Sequence, residues 1–322
     1  MYKKLLFMGL VALVLACEPI EIPVQPPAPG ALSTALVDMS TDYRWQVYFS
    51  LETGQEIKRN LKTEWDLAFG SQANDWQVHL NGAKLMSAAF FEQTSFASKT
   101  DTAGFAIRSR IDHSGGHRDS TAFGDWRDKS GIYIVNLGFD PAGRALGFGK
   151  MRLISQSATA FRFQYGSLTD TLGQTIDLPK SPAQALVPFS FQSGVRIDLF
   201  PPQPNWDLCF TQYTHLFPNE TPPLPYLVVG VLLNPAQTSA IEVLDRPFND
   251  IDLAYAQQQL LSTRWDVIGY DWKSFGGSVF VTDASRSYIV KTRSGQFYKL
   301  KFLDFYGPTG NKGATTMAFQ RL

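Results

Sequence analysis

The chain has 322 residues and a formal net charge of +0, from 29 basic and 29 acidic side chains. No basic block stands out, which argues against nucleic acid or another polyanion as partner. Aromatic residues make up 13% of the chain and there are only two cysteines; this suits a β-rich protein, because aromatic side chains pack well on a pleated surface, and not one stapled by disulfides.

Lys3 and Lys4 precede an apolar run from Leu5 that ends in Val14-Leu15-Ala16-Cys17. A basic start, a short apolar stretch and a small residue before the break predict a secretory signal over 1–16. The run is too short for a membrane span, which needs roughly 20 apolar residues. Cys17 directly after Ala16 resembles a bacterial lipobox. That resemblance implies cleavage before Cys17, lipidation of its thiol and new amine by chains such as palmitate, and an outer-membrane lipoprotein exposed at the cell surface. Buried acyl chains then form the membrane anchor. Residues 17–34 follow as a tether in which Pro19, Pro23, Pro26, Pro27 and Pro29 favour extended polyproline backbone.

Next comes an internal repeat. Phe49-Ser50-Leu51-Glu52-Thr53-Gly54 and then Trp65-Asp66-Leu67-Ala68-Phe69 return as Phe189-Ser190-Phe191-Gln192-Ser193-Gly194 and Trp206-Asp207-Leu208-Cys209-Phe210. Asp125-Trp126-Arg127 is echoed by Asp271-Trp272-Lys273, and Lys150-Met151-Arg152-Leu153 by Lys299-Leu300-Lys301-Phe302. Matched patches in one order, with drifting separation, are what duplication followed by loop insertion leaves. Alternating runs at 131–137 and 148–154, and at 288–292 and 297–305, predict a β-hairpin in each copy. Helix is expected only at 253–263, capped by Asp250 or Asp252. The fold class is therefore all-β, as two tandem antiparallel β domains over 35–156 and 160–322. Cys209, which replaces Ala68 in the repeat, reads as a small buried residue.

The Phe-Ser-Leu-Glu-Thr-Gly and Trp-Asp-Leu-Ala-Phe pair resembles the opening of the HmuY-type haem-binding lipoproteins. Tyr288 to Gly295, Tyr298 to Tyr306 and Gly310-Asn311-Lys312-Gly313 resemble the family's end. On these motifs the second copy covers the whole family domain and the first a shortened one. The resemblance implies a non-enzymatic haemophore. It would capture haem, free or from haem-carrying proteins, and pass it to a TonB-dependent-type outer-membrane receptor. It also implies axial ligands on two finger-like loops, histidines in some members and methionines in others. No flanking motif transfers those ligands to positions here.

Axial ligation needs a neutral imidazole or a thioether aimed at iron beside an apolar wall. His113 and His117 sit in Asp112-His113-Ser114-Gly115-Gly116-His117, a glycine-containing loop. Both from one loop would fall on one face of haem, so a second segment must contribute, with His79 or Met86 as candidates. His215, after Trp-Asp-Leu-Cys-Phe where a strand should end, is a separate single-ligand candidate in the second copy, with Tyr213 and Tyr226 near in sequence. The competing readings are solvated loop histidines and a core methionine. The rival for the whole protein is a structural or adhesive surface lipoprotein that keeps this fold without haem. Gly307 to Gly313 lacks the spacing of a phosphate loop, and neither a nucleophile elbow nor a His-Glu-x-x-His motif occurs, so no enzyme is expected.

Overall fold

Strands dominate, and all of the named strand pairs are antiparallel, in a computed structural model that describes residues 28–322. The signal segment, Cys17 and residues 18–27 of the tether lie outside the described residues. One lobe holds a five-stranded sheet ordered Gln174–Pro179, Ala160–Ser167, Phe148–Gln156, Gly131–Asn136, Ser87–Glu92, and a three-stranded sheet ordered Leu186–Phe189, Leu67–Gly70, Val78–Leu80. The other holds a five-stranded sheet ordered Ser33–Asp38, Lys312–Arg321, Phe297–Tyr306, Ser287–Lys291, Ser239–Val243. Its four-stranded sheet is ordered Leu224–Leu233, Leu208–Phe217, Trp45–Ser50, Gln55–Leu61.

The expected division at 156–160 does not separate the two cores. Val37, Val47, Phe49 and Leu51 of the first copy pack with Leu208, Phe210, Trp272 and Phe302 of the second. Conversely, Leu178, Val187 and Phe189 of the second copy pack with Leu67, Phe69, Trp126 and Met151 of the first. Each copy thus lends its opening strands to the other's lobe. The lobes are built from 66 to about 198, and from 30–61 with 206–322.

The repeated motifs are the parts that make this exchange. Asp66 donates its backbone N–H to Phe189 O at 2.8 Å, and its Oδ2 accepts from Phe191 N–H at 2.7 Å. Asp207 does the same in the other lobe, to Phe49 O at 2.9 Å and from Leu51 N–H at 2.8 Å. Gly54 and Gly194 close the lent turns at φ +68 and +69, a region that favours glycine. Beneath them Asn81 and Asn234 each donate to two loop carbonyls, at 2.7 and 2.8 Å in both cases. The repeated Lys150 and Lys299 are buried and also bind loop carbonyls, Phe96 O at 2.8 Å and Ile251 O at 2.9 Å. Buried ammonium groups survive because such bonds replace water.

Helix is shorter than the sequence predicts. The segment Leu253–Gln257 forms, with Asp252 Oδ1 accepting from Tyr255 N–H at 2.8 Å as the cap. It stops there because the chain turns to pair Ser262 with Ala240, through N–H to O bonds of 2.8 and 2.9 Å. Cys209 is buried beside Tyr48 and Trp206, and burial pushes its thiol far up.

Candidate functional site

The strand after Trp206-Asp207 does not end at Phe210. It runs as Leu208–Phe217 against Leu224–Leu233 over its full length. Its alternation puts Tyr213, His215 and Phe217 on one face. Tyr213 is buried, which raises its phenol pKa, and Tyr226 is 57% exposed. His215 is half-buried at the outer end of the hairpin, with ring centroids 4.9 Å from Phe217 and 5.0 Å from Tyr270. Burial pushes the His215 pKa down; Asp266 opposes that and nearby His113 adds to it. A neutral imidazole is the form that ligates a metal.

The loop carrying His113 is tied at its base and at its tip. Asp112 Oδ1 accepts from Ala122 N–H at 2.7 Å and Oδ2 from Leu80 N–H at 2.8 Å, which closes the base on its own lobe. At the tip Ser114 Oγ donates to Asp266 Oδ2 at 2.6 Å, and Trp265 N–H donates to Gly115 O at 3.2 Å, both across to the other lobe. His113 is exposed, and its Nδ1 accepts from Gly115 N–H at 3.0 Å. In this geometry the neutral ring carries its proton on Nε2, so ligation through Nε2 requires the ring to give up that contact.

A cleft of about 1460 Å³ lies between the lobes, and both His113 and His215 line it. Phe90, Phe91, Ile107 and Ile111 from one lobe, and Leu216 and Pro225 from the other, give it apolar wall. Arg108, Arg110, Lys129 and Arg264 also line it, alongside the carboxylates of Glu92, Asp112, Asp119 and Asp266. Two imidazoles from different segments, apolar lining and cations in one cleft are the residue types that would hold haem: nitrogens for its iron, apolar side chains for its ring and cations for its carboxylates.

The remaining sequence candidates stand elsewhere. Met86 is 1% exposed in the lobe core with Leu67 and Val78, which makes it a packing residue. His79 is 4% exposed, its Nδ1 3.7 Å from Asp112 Oδ2 and its ring 4.9 Å from that of Trp265. Both border a cavity of only about 100 Å³, which His113 also lines. The His117 ring is 5.1 Å from that of His113 but borders a different groove of about 620 Å³, with Asp75 and Arg118. The first-copy candidates are thus brought together around two smaller spaces, His113 with His79 and Met86, and His117 with His79, while His113 also shares the larger cleft with His215. The residues that sequence reasoning missed are Asp112, Ser114, Arg264, Trp265, Asp266 and Tyr270. Only the third Trp-Asp pair of the chain, Trp265-Asp266, carries a visible signal.

The family model described as HmuY protein matches residues 42–319, which span both copies and not the second alone. No curated protein matches the chain at a significant level. Among solved structures, the apo HmuY analog of Tannerella forsythia is 12% identical, with 90% of this chain and 95% of that one covered and a TM-score of 0.33. Apo PinO from Porphyromonas gingivitis is 12% identical over 91% and 97% of the two chains, with a TM-score of 0.31. A Bacteroides vulgatus protein described as HmuY-like and heme binding is 11% identical over 89% and 90%, with a TM-score of 0.20.

Proposed function

The chain belongs to the HmuY family, and from that premise we propose that it is a haem-binding protein whose cleft takes one haem between His113 and His215. One observation carries the reading: the two histidines come from different lobes and line the same cleft. Haem when bound supplies the iron centre. His113 and His215 would supply imidazoles to it, Phe90, Phe91, Ile107 and Leu216 would exclude water, and arginine and lysine would meet its carboxylates. The wider role we propose is capture of haem, free or from carrier proteins, for delivery to a TonB-dependent-type outer-membrane receptor. A lipid on Cys17 would hold the protein at the cell surface; the basic-apolar start and the Ala16-Cys17 pair support that anchor.

Titration of the purified soluble part with haemin tests the proposal through the Soret band. Saturation at one haemin per chain is expected. His113→Ala and His215→Ala should each remove one axial ligand and convert a six-coordinate spectrum to a five-coordinate one, while His117→Ala leaves it unchanged. No saturable shift with oxidised or reduced haem refutes haem binding and leaves a structural or adhesive lipoprotein of the same fold. An altered spectrum in His117→Ala alone would move the ligand off His113.

A further inference from the structure

The two candidate ligands sit on separate lobes, so something must fix the space between them. The segment from Arg264 to Tyr270 touches both. It is secured to the His215-bearing hairpin by Leu233 N–H donating to Trp265 O at 2.7 Å, and by Val231 and Gly269 exchanging N–H to O bonds of 2.9 and 3.1 Å. Tyr270 then packs on the His215 ring at 5.0 Å. Toward the other lobe the same segment grips the His113 loop. Asp266, whose side chain is only 5% exposed, accepts from Ser114 Oγ at 2.6 Å and is itself held by Arg264, Nε to Oδ1 at 3.0 Å and Nη2 to Oδ2 at 3.1 Å. Trp265 N–H binds Gly115 O at 3.2 Å, and Gly116 lies so close to the indole that a Cβ there would overlap it.

We propose that Asp266 is a positioning residue that clasps the His113 loop to the His215 lobe and sets the spacing of the two ligands. Asp266 lines the cleft itself, and its positioning role acts through Ser114 and the loop backbone. The bonds that make the clasp run from lobe to lobe, so it preorganises the cleft, which lowers the ordering cost of binding. The proposal rests on the haem reading for its purpose but not for its existence.

The test uses Asp266→Ala, Asp266→Asn and Ser114→Ala in the full soluble chain, with hydrogen exchange in the absence of haemin and Soret titration in its presence. Losing a charge-assisted hydrogen bond should speed exchange at the amides of Gly115, Gly116 and Trp265 about tenfold in Asp266→Ala and in Ser114→Ala. Asp266→Asn keeps an acceptor for Ser114 and should restore exchange to within about threefold of wild type. Haemin affinity should follow the same order. Ser114→Ala removes one partly buried hydroxyl, so it stays informative if Asp266→Ala fails to fold. Unchanged loop exchange in Ser114→Ala and Asp266→Ala overturns the clasp, whatever haemin does. Faster exchange with unchanged haemin affinity overturns the positioning role. Faster exchange in the variants together with a wild-type chain that binds no haemin overturns the haem reading, and with it the assigned purpose.

Discussion

Asp66 and Asp207 do the same work in the two lobes, but only one has a cation. Lys84, 1% exposed, pairs with Asp66, whereas Asp207 has no ion-pair partner among the described residues. Burial of Asp207 outweighs its bond from Leu51 and raises its pKa from an ordinary 3.8 to about 6. In the window between those values the folded state holds more protons than the unfolded state, so stability falls as pH rises through it. A shift of about two units corresponds to roughly 3 kcal/mol, present as a cost at pH 7 and absent below about pH 4. Asp207→Asn removes that cost and keeps an acceptor for Leu51 N–H. Its amide N–H₂ brings one donor more than the protonated carboxyl has, and leaving that donor without a partner takes back about 1–2 kcal/mol. The variant should therefore be more stable than wild type by about 1–2 kcal/mol at pH 7, and less stable by a similar amount near pH 4. Urea unfolding at pH 4, 5, 6, 7 and 8 measures it. A difference that stays constant from pH 4 to pH 8 refutes the argument, because a raised carboxyl pKa makes it grow as pH rises through that window.

Two further outcomes follow from the same architecture. Lys84→Met strands the buried Asp66 carboxylate and should cost about 3–5 kcal/mol. The double variant Asp66→Asn with Lys84→Met should regain most of that in urea unfolding, and a double variant no better than the single would show that the ion pair is not the cause. Phe49 is 2% exposed and packs edge-on to Phe210 and Phe319 at 6.3 and 5.7 Å. Phe49→Ala should cost about 3–5 kcal/mol. The lost hydrogen-exchange protection should fall in Leu208–Phe217 and Lys312–Arg321, and protection lost instead in Gly131–Ser167 would contradict the exchange of opening strands.

The alternation at 131–137, 148–154 and 288–305 made the hairpins legible, because side-chain period is a local property of the chain. The repeat was legible for the same reason: Trp-Asp and Phe-Ser-x-x-x-Gly are short and contiguous. What each motif binds was not. Asp207 reaches Leu51 and Asp66 reaches Phe191 across 156 and 125 positions, and nothing in a single sequence says whether a repeated strand pairs inside its own copy or with the other. Both choices bury the same residues, so the hydrophobic pattern is identical for each.

That ambiguity is also why the cleft shared by His113 and His215 is not legible in the sequence. If each copy is a closed domain, His113 must find its partner among first-copy residues, which leads to His79 and Met86. Once the opening strands are exchanged, the strand from Leu208 lies beside Trp45–Ser50, and Thr214 Oγ donates to Gly82 O at 2.7 Å at the lobe boundary. His215 is the next residue. The exchange thus carries the outer end of that hairpin to the edge of the first-copy lobe, where the His113 loop emerges. A duplicated core that retains Trp, Asp and Gly while placing single, unmatched histidines on either side of the seam builds one asymmetric cleft, not two equivalent ones.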